Sequence, residues 1–352
     1  MRAADQRTAA RHFSLAIASG PARKPNGRVS FPDTRRRRSP RARTHPGHST
    51  HYRKTFWYHG RLRIGIHASI SGSLENAALR AAAAGANTFQ IFSSSPRTWR
   101  ASGRPDPYQI ERLRAARERL DLIPLVVHAN YLVNLAAAGE GVRALSIESF
   151  RGEIDRAAAI GAEYLVVHPG SYGGQGLEEG VRTLVESIRA AERGLKIKGL
   201  TILLENTVGG GTKLGGRFEE LQAMQELARK AVKTPVALCL DTAHLYAGGY
   251  DIATAEGLRA MVRDAEASFG LANVKVIHAN DSKTRLASHH DRHAHIGEGY
   301  IGAEGFRRIL AHPKLRNKPF ILETPHEREE DAVRNVEMLK SLCRKRPTTT
   351  KQ

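Results

Sequence analysis

Short apolar runs recur along the chain from about residue 61. Each run ends abruptly, seven of them at a histidine or a carboxylate and one at a phenylalanine. The runs are five or six residues long, are rich in Val, Ile and Leu, and show no alternation of apolar and polar positions. Strands that are buried on both faces of a parallel sheet have this pattern. Eight such runs occur, at residues 63–67, 87–92, 124–128, 164–168, 201–205, 236–241, 274–278 and 319–323.

The segments between these runs have the three- and four-residue spacing of apolar positions that is typical of helices. After the first run, Ser73 can cap a helix whose apolar stripe is Leu74, Ala77, Ala78 and Ala81. Most strand ends lie roughly 36 to 45 residues apart. Eight such units over roughly 280 residues predict a (β/α)₈ barrel, the TIM barrel. A doubly wound open sheet is the alternative, but no glycine-rich nucleotide-binding turn follows the first strand.

The residues that close the predicted strands are candidates for an active site, because the carboxyl ends of TIM-barrel strands surround the catalytic centre. One run ends in Phe92, and the other seven end in a histidine or a carboxylate: His67, His128, His168, Glu205, Asp241, His278 and Glu323. His244 follows closely on Asp241, and Asp291 and His293 point to one side of an extended loop. Converging buried carboxylates need compensating positive charge, which metal ions supply.

Nine of these side chains form a candidate ligand set with five imidazoles, four carboxylates and no thiolate: His128, His168, Glu205, Asp241, His244, His278, Asp291, His293 and Glu323. This set favours zinc, with manganese or iron as alternatives, over an all-oxygen magnesium site. Nine ligands exceed the needs of one ion and suffice for three if a carboxylate bridges. His67 faces the same site, but we expect it to support the ligands because all nine positions are filled without it.

The motifs around these residues read GIHASISGSLENA, VVHANYLVNLA, VVHPGS, LLENTVGGG, LDTAHLYAGGYD, HANDSK, HDRHAHIGEGYIG and ILETP. They resemble, in matching order from Gly65 to Glu323, the endonuclease IV family of apurinic/apyrimidinic (AP) endonucleases. The resemblance implies a TIM barrel with a trinuclear zinc centre. The implied reaction is hydrolysis of the phosphodiester bond 5′ to an abasic site in duplex DNA, which leaves a 3′-hydroxyl and a 5′-deoxyribose phosphate.

The resemblance also implies a role for individual residues. It divides the ligands among three zinc ions in this way: His128, His168 and Glu205 for the first, Glu205 as a bridge with Asp241, His278 and Glu323 for the second, and His244, Asp291 and His293 for the third. Glu205 is the expected catalytic residue, because a bridging carboxylate can orient the attacking water. Arg97, Tyr131 and Leu132 are expected to enter the duplex where a base is missing. The resemblance predicts a polar residue beside Arg97, but the chain has Pro96 there. This difference affects the contacts expected between the loop and the base stack.

The formal net charge of +20 is concentrated ahead of the barrel, since residues 1–60 contain 14 Lys and Arg but only two acidic residues. This composition predicts a disordered, Arg-rich leader. An upstream extension from a mis-set start, a basic arm for nucleic acid and an organelle or nuclear address are the three interpretations. We therefore expect a leader at 1–60, a barrel domain at 61–342 and a short basic tail at 343–352.

The remaining features concern location and assembly. Cys239 and Cys343 do not suggest a disulfide framework, and no stretch approaches 18 consecutive apolar residues. These features predict a cytoplasmic protein that does not enter a membrane. Duplex DNA with abasic sites is the expected partner, and a monomer is the expected state because the barrel closes its own sheet.

Two other functions compete with the nuclease. A sugar isomerase-like or epimerase-like barrel has similar ligands at its strand ends but needs only one or two ions, so it has no need of His244, Asp291 and His293. A non-catalytic DNA-binding protein with a metal-stabilised barrel is the second alternative, and it would bind intact duplex without cutting it.

Overall fold

The computed structural model describes residues 62–99, 103–326 and 328–343, and its main feature is a closed barrel of eight parallel strands. The strands of the described residues are β1 (Ile64–His67), β2 (Thr88–Phe92), β3 (Leu125–His128), β4 (Tyr164–Val167), β5 (Thr201–Glu205), β6 (Val236–Asp241), β7 (Val274–His278), β8 (Asp281–Ser282), β9 (His293–Ala294) and β10 (Phe320–Leu322). All except β8 and β9 belong to the barrel, which closes where β10 pairs with β1. The predicted TIM barrel is confirmed, and each predicted strand agrees with the observed one to within one residue at either end.

Helices surround the barrel and connect its strands. Those of the described residues are α1 (Leu74–Ala83), α2 (Pro107–Arg119), α3 (Glu140–Ala159), α4 (Leu177–Glu192), α5 (Phe218–Ala231), α6 (Thr242–Ala247), α7 (Ala255–Ser268), α8 (Gly302–Ala311) and α9 (Glu329–Leu342), with a 3₁₀ turn at Leu271–Asn273. The predicted cap of α1 is confirmed, because the Ser73 hydroxyl accepts a hydrogen bond from Asn76 N at 3.2 Å. The predicted apolar stripe of α1 is buried.

Two apolar layers explain why the strands have continuous apolar runs. One layer lies between the strands and the outer helices. The other fills the barrel interior and consists of Val126, Val166, Leu203, Ala237, Cys239, Val276 and Ile321. Because side chains fill both faces of the sheet, the histidines and carboxylates that close the strands are left at the carboxyl-terminal rim.

The predicted terminal segments lie almost entirely outside the described residues, which begin at residue 62 and end at Cys343. Cys343 is exposed, Cys239 is buried, and both are free thiols. Among the described helices, none combines the length and the apolar character that crossing a membrane requires.

Gly65 allows β1 and β2 to approach closely, because a Cβ atom at this position would lie 2.3 Å from the Thr88 carbonyl oxygen. This backbone contact cannot relax easily, since β1 pairs with both β2 and β10. We expect Gly65→Ala to lower the free energy of unfolding by roughly 1–3 kcal/mol, the usual cost of overpacking, in urea denaturation.

Gly141→Ala is the matched control, because Gly141 lies in the first turn of α3 with no heavy atom within 4 Å of the added Cβ. This variant should gain up to about 1 kcal/mol from the lower backbone entropy of alanine in the unfolded chain. Equal effects of the two substitutions would contradict the close approach of β1 and β2.

Candidate active site

The nine predicted ligands converge at the carboxyl-terminal rim of the barrel. Six close a strand or follow it directly: His128 (β3), His168 (β4), Glu205 (β5), Asp241 (β6), His278 (β7) and Glu323 (β10). The other three are His244 in α6, His293 in β9 and Asp291 in the loop before β9. Six of the nine border a cavity of about 490 Å³: His128, His168, His244, Asp291, His293 and Glu323. Glu205, Asp241 and His278 are fully buried, at 0% exposure.

Glu205 is the central carboxylate, and its nearest contacts are with three imidazoles. Its Oε2 lies 3.1 Å from His168 Nε2 and 3.2 Å from His128 Nε2, and its Oε1 lies 2.8 Å from His278 Nδ1. Burial alone raises the pKa of the Glu205 carboxyl, but these imidazoles outweigh it and hold the pKa well below its usual range. The ligand atoms of His128, His168 and Glu205 lie within 4.8 Å of one another, so one group of donors forms around one Glu205 oxygen.

A second group of donors shares Glu205. It consists of Glu205, Asp241, His278 and Glu323, whose ligand atoms also lie within 4.8 Å of one another. Within it, His278 Nδ1 lies 3.2 Å from Glu323 Oε2. Burial raises the pKa of Glu323, but His278 more than offsets this effect and the net shift is downward. Glu205 therefore stands between two groups, as a bridging ligand does.

The third group consists of Asp241, His244 and His293, whose ligand atoms lie within 4.8 Å of one another, whereas the predicted trio had Asp291 in place of Asp241. Asp291 contacts both histidines, because its two carboxylate oxygens lie 3.1 Å from His244 Nε2 and 3.2 Å from His293 Nε2. Asp241 is also close, because its Oδ2 lies 3.9 Å from His293 Nε2. Burial lowers the pKa of both histidines, but the carboxylates of Asp241 and Asp291 outweigh it and raise the pKa of His244 to about 10 and that of His293 to about 9.

Hydrogen bonds fix the tautomers of the imidazoles. Backbone carbonyls can only accept, so the proton lies on Nδ1 in three histidines, which donate to Ala129 O (His128, 2.7 Å), Asn206 O (His244, 2.8 Å) and Glu323 O (His293, 3.0 Å). The other nitrogen, Nε2, faces the carboxylates and is the nitrogen that can bind a metal ion once it has lost its proton. Histidines that bind metal ions are held in this way, because the second nitrogen donates to a fixed acceptor.

The donor groups fit metal ions. Two donors about 2.1 Å from a tetrahedral zinc ion lie about 3.4 Å apart, close to the imidazole–carboxylate separations given above. His293 Nε2 is buried and lies 3.2 Å from Asp291 Oδ1, yet it makes no hydrogen bond with any described residue. A buried imidazole nitrogen without a hydrogen-bond partner is suited to bind a metal ion. Ionised carboxylates this close together also need a cationic partner.

Comparisons with known proteins agree with this geometry. Residues 78–342 match the profile of the family described as "Xylose isomerase-like TIM barrel". A probable endonuclease 4 of Solibacter usitatus is 60% identical over 282 residues, which cover 80% of this chain and 97% of that protein. Endonuclease 4 of Thermus thermophilus is 43% identical over 272 residues, which cover 77% of this chain and 94% of that protein. The chain belongs to the endonuclease IV family.

Solved structures agree with this assignment. A crystal structure of endonuclease IV from Thermus thermophilus matches with a TM-score of 0.70 at 41% identity and covers 80% of this chain and 98% of that chain. A D-tagatose 3-epimerase-like protein matches with a TM-score of 0.58 at 23% identity over 80% of this chain and 97% of that chain, which shows the shared fold alone. The predicted family is confirmed, and the chain is a DNA repair enzyme that hydrolyses phosphodiester bonds.

Three residues of this endonuclease that orient the ligands were missed by the sequence analysis. Gln90 Nε2 donates to Glu323 Oε1 at 2.6 Å, so its oxygen faces His278 and accepts the Nε2 proton at 2.9 Å. Asn206 Oδ1 accepts from Asp241 N at 2.6 Å, and Asn280 Nδ2 donates to Asp241 Oδ2 at 2.6 Å. A polar residue inside the apolar run TFQIF was the available signal for Gln90.

His67 contacts the ligands from one side. Its Nδ1 lies 3.0 Å from Gln90 Nε2 and 3.6 Å from Glu323 Oε1, and its ring packs on Phe92 with the centroids 4.2 Å apart. Burial lowers the pKa of His67 more than Glu323 raises it. His67 thus contacts a residue that orients ligands, as a supporting side chain would.

The residues predicted to probe DNA lie on two loops beside the cavity. Tyr131 borders the cavity and is 63% exposed, whereas Leu132 is partly buried. Arg97 is exposed on the neighbouring β2–α2 loop. A larger cavity of about 960 Å³ adjoins the first, shares His67 with it and is bordered by Pro96. Arg97 and Tyr131 therefore present exposed side chains beside the cavity that six of the nine predicted ligands border.

Gln90→Leu should weaken metal binding of this endonuclease, because His278 and Glu323 would lose the partner that orients both. Loss of a partner of this kind typically costs 10–100-fold in metal affinity. The measurement is a zinc titration against a chromophoric chelator.

Thr88→Val is the matched control for Gln90→Leu, since Thr88 is buried in the same strand but its hydroxyl donates to Pro124 O, away from the ligands. Zinc affinity should stay close to that of the unsubstituted protein. An unchanged affinity in Gln90→Leu would show that His278 and Glu323 keep their orientation without Gln90.

Proposed function

We propose that this endonuclease uses three zinc ions to hydrolyse the phosphodiester bond 5′ to abasic sites in duplex DNA, leaving a 3′-hydroxyl and a 5′-deoxyribose phosphate. The observation that carries the proposal is the presence of three donor groups at one barrel rim, two of which share Glu205. The residues that would hold the ions are His128, His168 and Glu205; Glu205, Asp241, His278 and Glu323; and His244, Asp291 and His293.

The donor chemistry supports zinc, because imidazole and carboxylate without thiolate suit zinc, with manganese or iron as the alternative metals at one site. Bound metal ions supply Lewis acidity, which neutralises phosphate charge and lowers the pKa of a water molecule. A sugar isomerase or epimerase needs only one or two ions, so a third donor group at His244 and His293, with Asp291 in contact with both, favours phosphodiester hydrolysis.

Glu205 is the proposed catalytic residue. Its ionised carboxylate is fully buried and faces imidazoles on both oxygens, so it is held in one orientation. In this position it orients the attacking water toward the phosphorus atom and accepts its proton. The attack would break the bond between phosphorus and the 3′-oxygen, and the proton that Glu205 took from the water, returned directly or through solvent, would convert this oxygen into the 3′-hydroxyl. The mechanism does not require a protein nucleophile.

Selectivity for abasic sites would come from the low cost of extruding a nucleotide that no longer stacks. Arg97, Tyr131 and Leu132 are the proposed probing residues. A basic side chain and two wedges inserted at a gap in the base stack hold a bent duplex, as in minor-groove binding proteins. Their position on loops beside the cavity supports this role.

The incision of a defined substrate tests the proposed reaction. We expect zinc-loaded protein to nick a duplex that carries one tetrahydrofuran abasic analogue, on its 5′ side, and to leave a 3′ end that a DNA polymerase can extend. The same duplex with an ordinary nucleotide should stay intact, and removal of metal by a chelator should abolish the nick. Absence of incision by zinc-loaded protein would refute the proposal.

Glu205→Gln should abolish most of this activity without loss of the fold. An amide can neither bridge two cations as a carboxylate does nor accept the proton, and loss of a general base typically costs 10²–10⁴-fold in rate. Single-turnover incision measures the rate, and circular dichroism checks the fold. Glu226→Gln on the outer helix α5, where the carboxylate accepts from Gln222 of the same helix, should incise at the unsubstituted rate. Near-normal incision by Glu205→Gln would remove Glu205 from the mechanism.

A further inference from the structure

Helix α3 buries a row of polar side chains that the proposed mechanism does not use. The row consists of Ser146, Ser149, Glu153 and Arg156, each at most 3% exposed. Their spacing of three and four residues places them on one face of the helix. Outer helices of a barrel usually bury apolar side chains, so a buried polar face indicates specific partners.

The pair of charges on this face holds the β2–α2 loop. Glu153 accepts a hydrogen bond from Ser93 Oγ, and Arg156 donates to Ser93 Oγ at 2.8 Å and to Ser94 Oγ at 3.3 Å. Glu153 and Arg156 also pair with each other at 3.2 Å. Ser93 and Ser94 lie four and three residues before Arg97. The two charges therefore fix the base of the loop that carries this arginine.

The two serines of the same face hold the β3–α3 loop. Ser149 Oγ accepts from Asn130 Nδ2 at 2.9 Å, and the Asn130 oxygen accepts from Leu132 N at 2.9 Å. Ser146 Oγ accepts from Asn134 N at 3.0 Å. One helix face thus contacts both loops that carry the proposed probing residues.

The two loops also contact each other. Tyr131 N donates to Pro96 O at 3.3 Å, and the Tyr131 ring packs edge-on against Phe92 with the centroids 5.1 Å apart. A shift of the β2–α2 loop would therefore move the backbone of Tyr131. A buried ion pair adds little stability relative to apolar residues of similar volume, but Glu153 and Arg156 also make directional hydrogen bonds to the loop.

We propose that Glu153 and Arg156 are positioning residues. They hold the two loops in the position in which Arg97 and Tyr131 engage damaged duplex DNA. The inference rests on the proposed function, because it takes Arg97 and Tyr131 as the probing residues. Both charged side chains are almost fully buried, at 1% and 2% exposure, so they act through the loops and do not contact DNA themselves.

The test compares a large and a small substrate. Glu153→Gln should lower kcat/KM for the abasic duplex roughly 10–100-fold, mainly through KM, because displacement of positioning groups by about 1 Å has effects of this size. Turnover of bis(p-nitrophenyl) phosphate, a diester too small to reach the loops, should stay within about twofold of the unsubstituted enzyme. Amide hydrogen exchange at residues 93–99 and 129–134 should become faster.

Two further variants complete the comparison. Glu153→Met with Arg156→Met replaces the pair by apolar side chains of similar volume, a change that buried ion pairs often tolerate. If Glu153→Gln fails to fold, the KM of this double variant for the abasic duplex is the deciding measurement, and it should rise as predicted for Glu153→Gln. Glu148→Gln is the matched control, because Glu148 is exposed on the same helix. It should behave like the unsubstituted protein on both substrates.

The outcomes separate this inference from the proposed function. Incision by the unsubstituted protein tests the function alone. If that protein incises the abasic duplex and the variants keep its KM, the positioning role is wrong and the function stands. Parallel losses on the duplex and on the small diester would also overturn the positioning role, because they would indicate damage to the metal site.

Discussion

The negative charge of Glu205, buried at the centre of the barrel rim, is the constraint on which the site depends. A carboxylate without solvent exposure is costly unless positive charge or hydrogen-bond donors surround it. His128, His168 and His278 supply that environment from three different strands, and their contacts hold the Glu205 pKa well below its usual range. Metal ions would complete the neutralisation. Histidines that bind metal have lost a proton and are neutral, so the four carboxylates of the site would otherwise carry uncompensated negative charge.

The parallel barrel makes this convergence possible. Every strand of a parallel sheet ends at the same edge, so residues as distant in sequence as His128 and Glu323 meet at one rim. The apolar interior below the rim fixes the strands and excludes water from the lower barrel. Gln90, Asn206 and Asn280 then orient individual ligand atoms through hydrogen bonds of 2.6 to 2.9 Å. Rigid strands and a second layer of polar contacts together give the precision that metal-assisted hydrolysis requires.

The loops that carry the proposed probing residues need support of another kind, because they lie above the rim and outside the strand ladder. Helix α3 provides it through buried side chains that contact both loops, and the Tyr131–Pro96 hydrogen bond joins the loops to each other. The predicted ligands and the loops that carry the proposed probing residues therefore have separate supports, one in the barrel strands and one in an outer helix. Changes in α3 are expected to affect recognition of the duplex without altering the chemistry at the metal ions.

The sequence by itself determined the barrel and the set of histidines and carboxylates that meet at its rim, because both follow from local signals. A strand buried on both faces requires a continuous apolar run, and the run VALCLD ends in the carboxylate that the site uses. Tertiary structure decided the rest. In the sequence, Gln90 is one polar residue in an apolar strand, and Glu153 and Arg156 resemble an ordinary charged helix face. Only their partners in the structure distinguish them from such residues. The proximity of Asp241 to His293 likewise depends on how β6 and β9 meet in space. Contacts between distant segments leave no periodic pattern in the sequence, because each depends on the packing of the whole barrel.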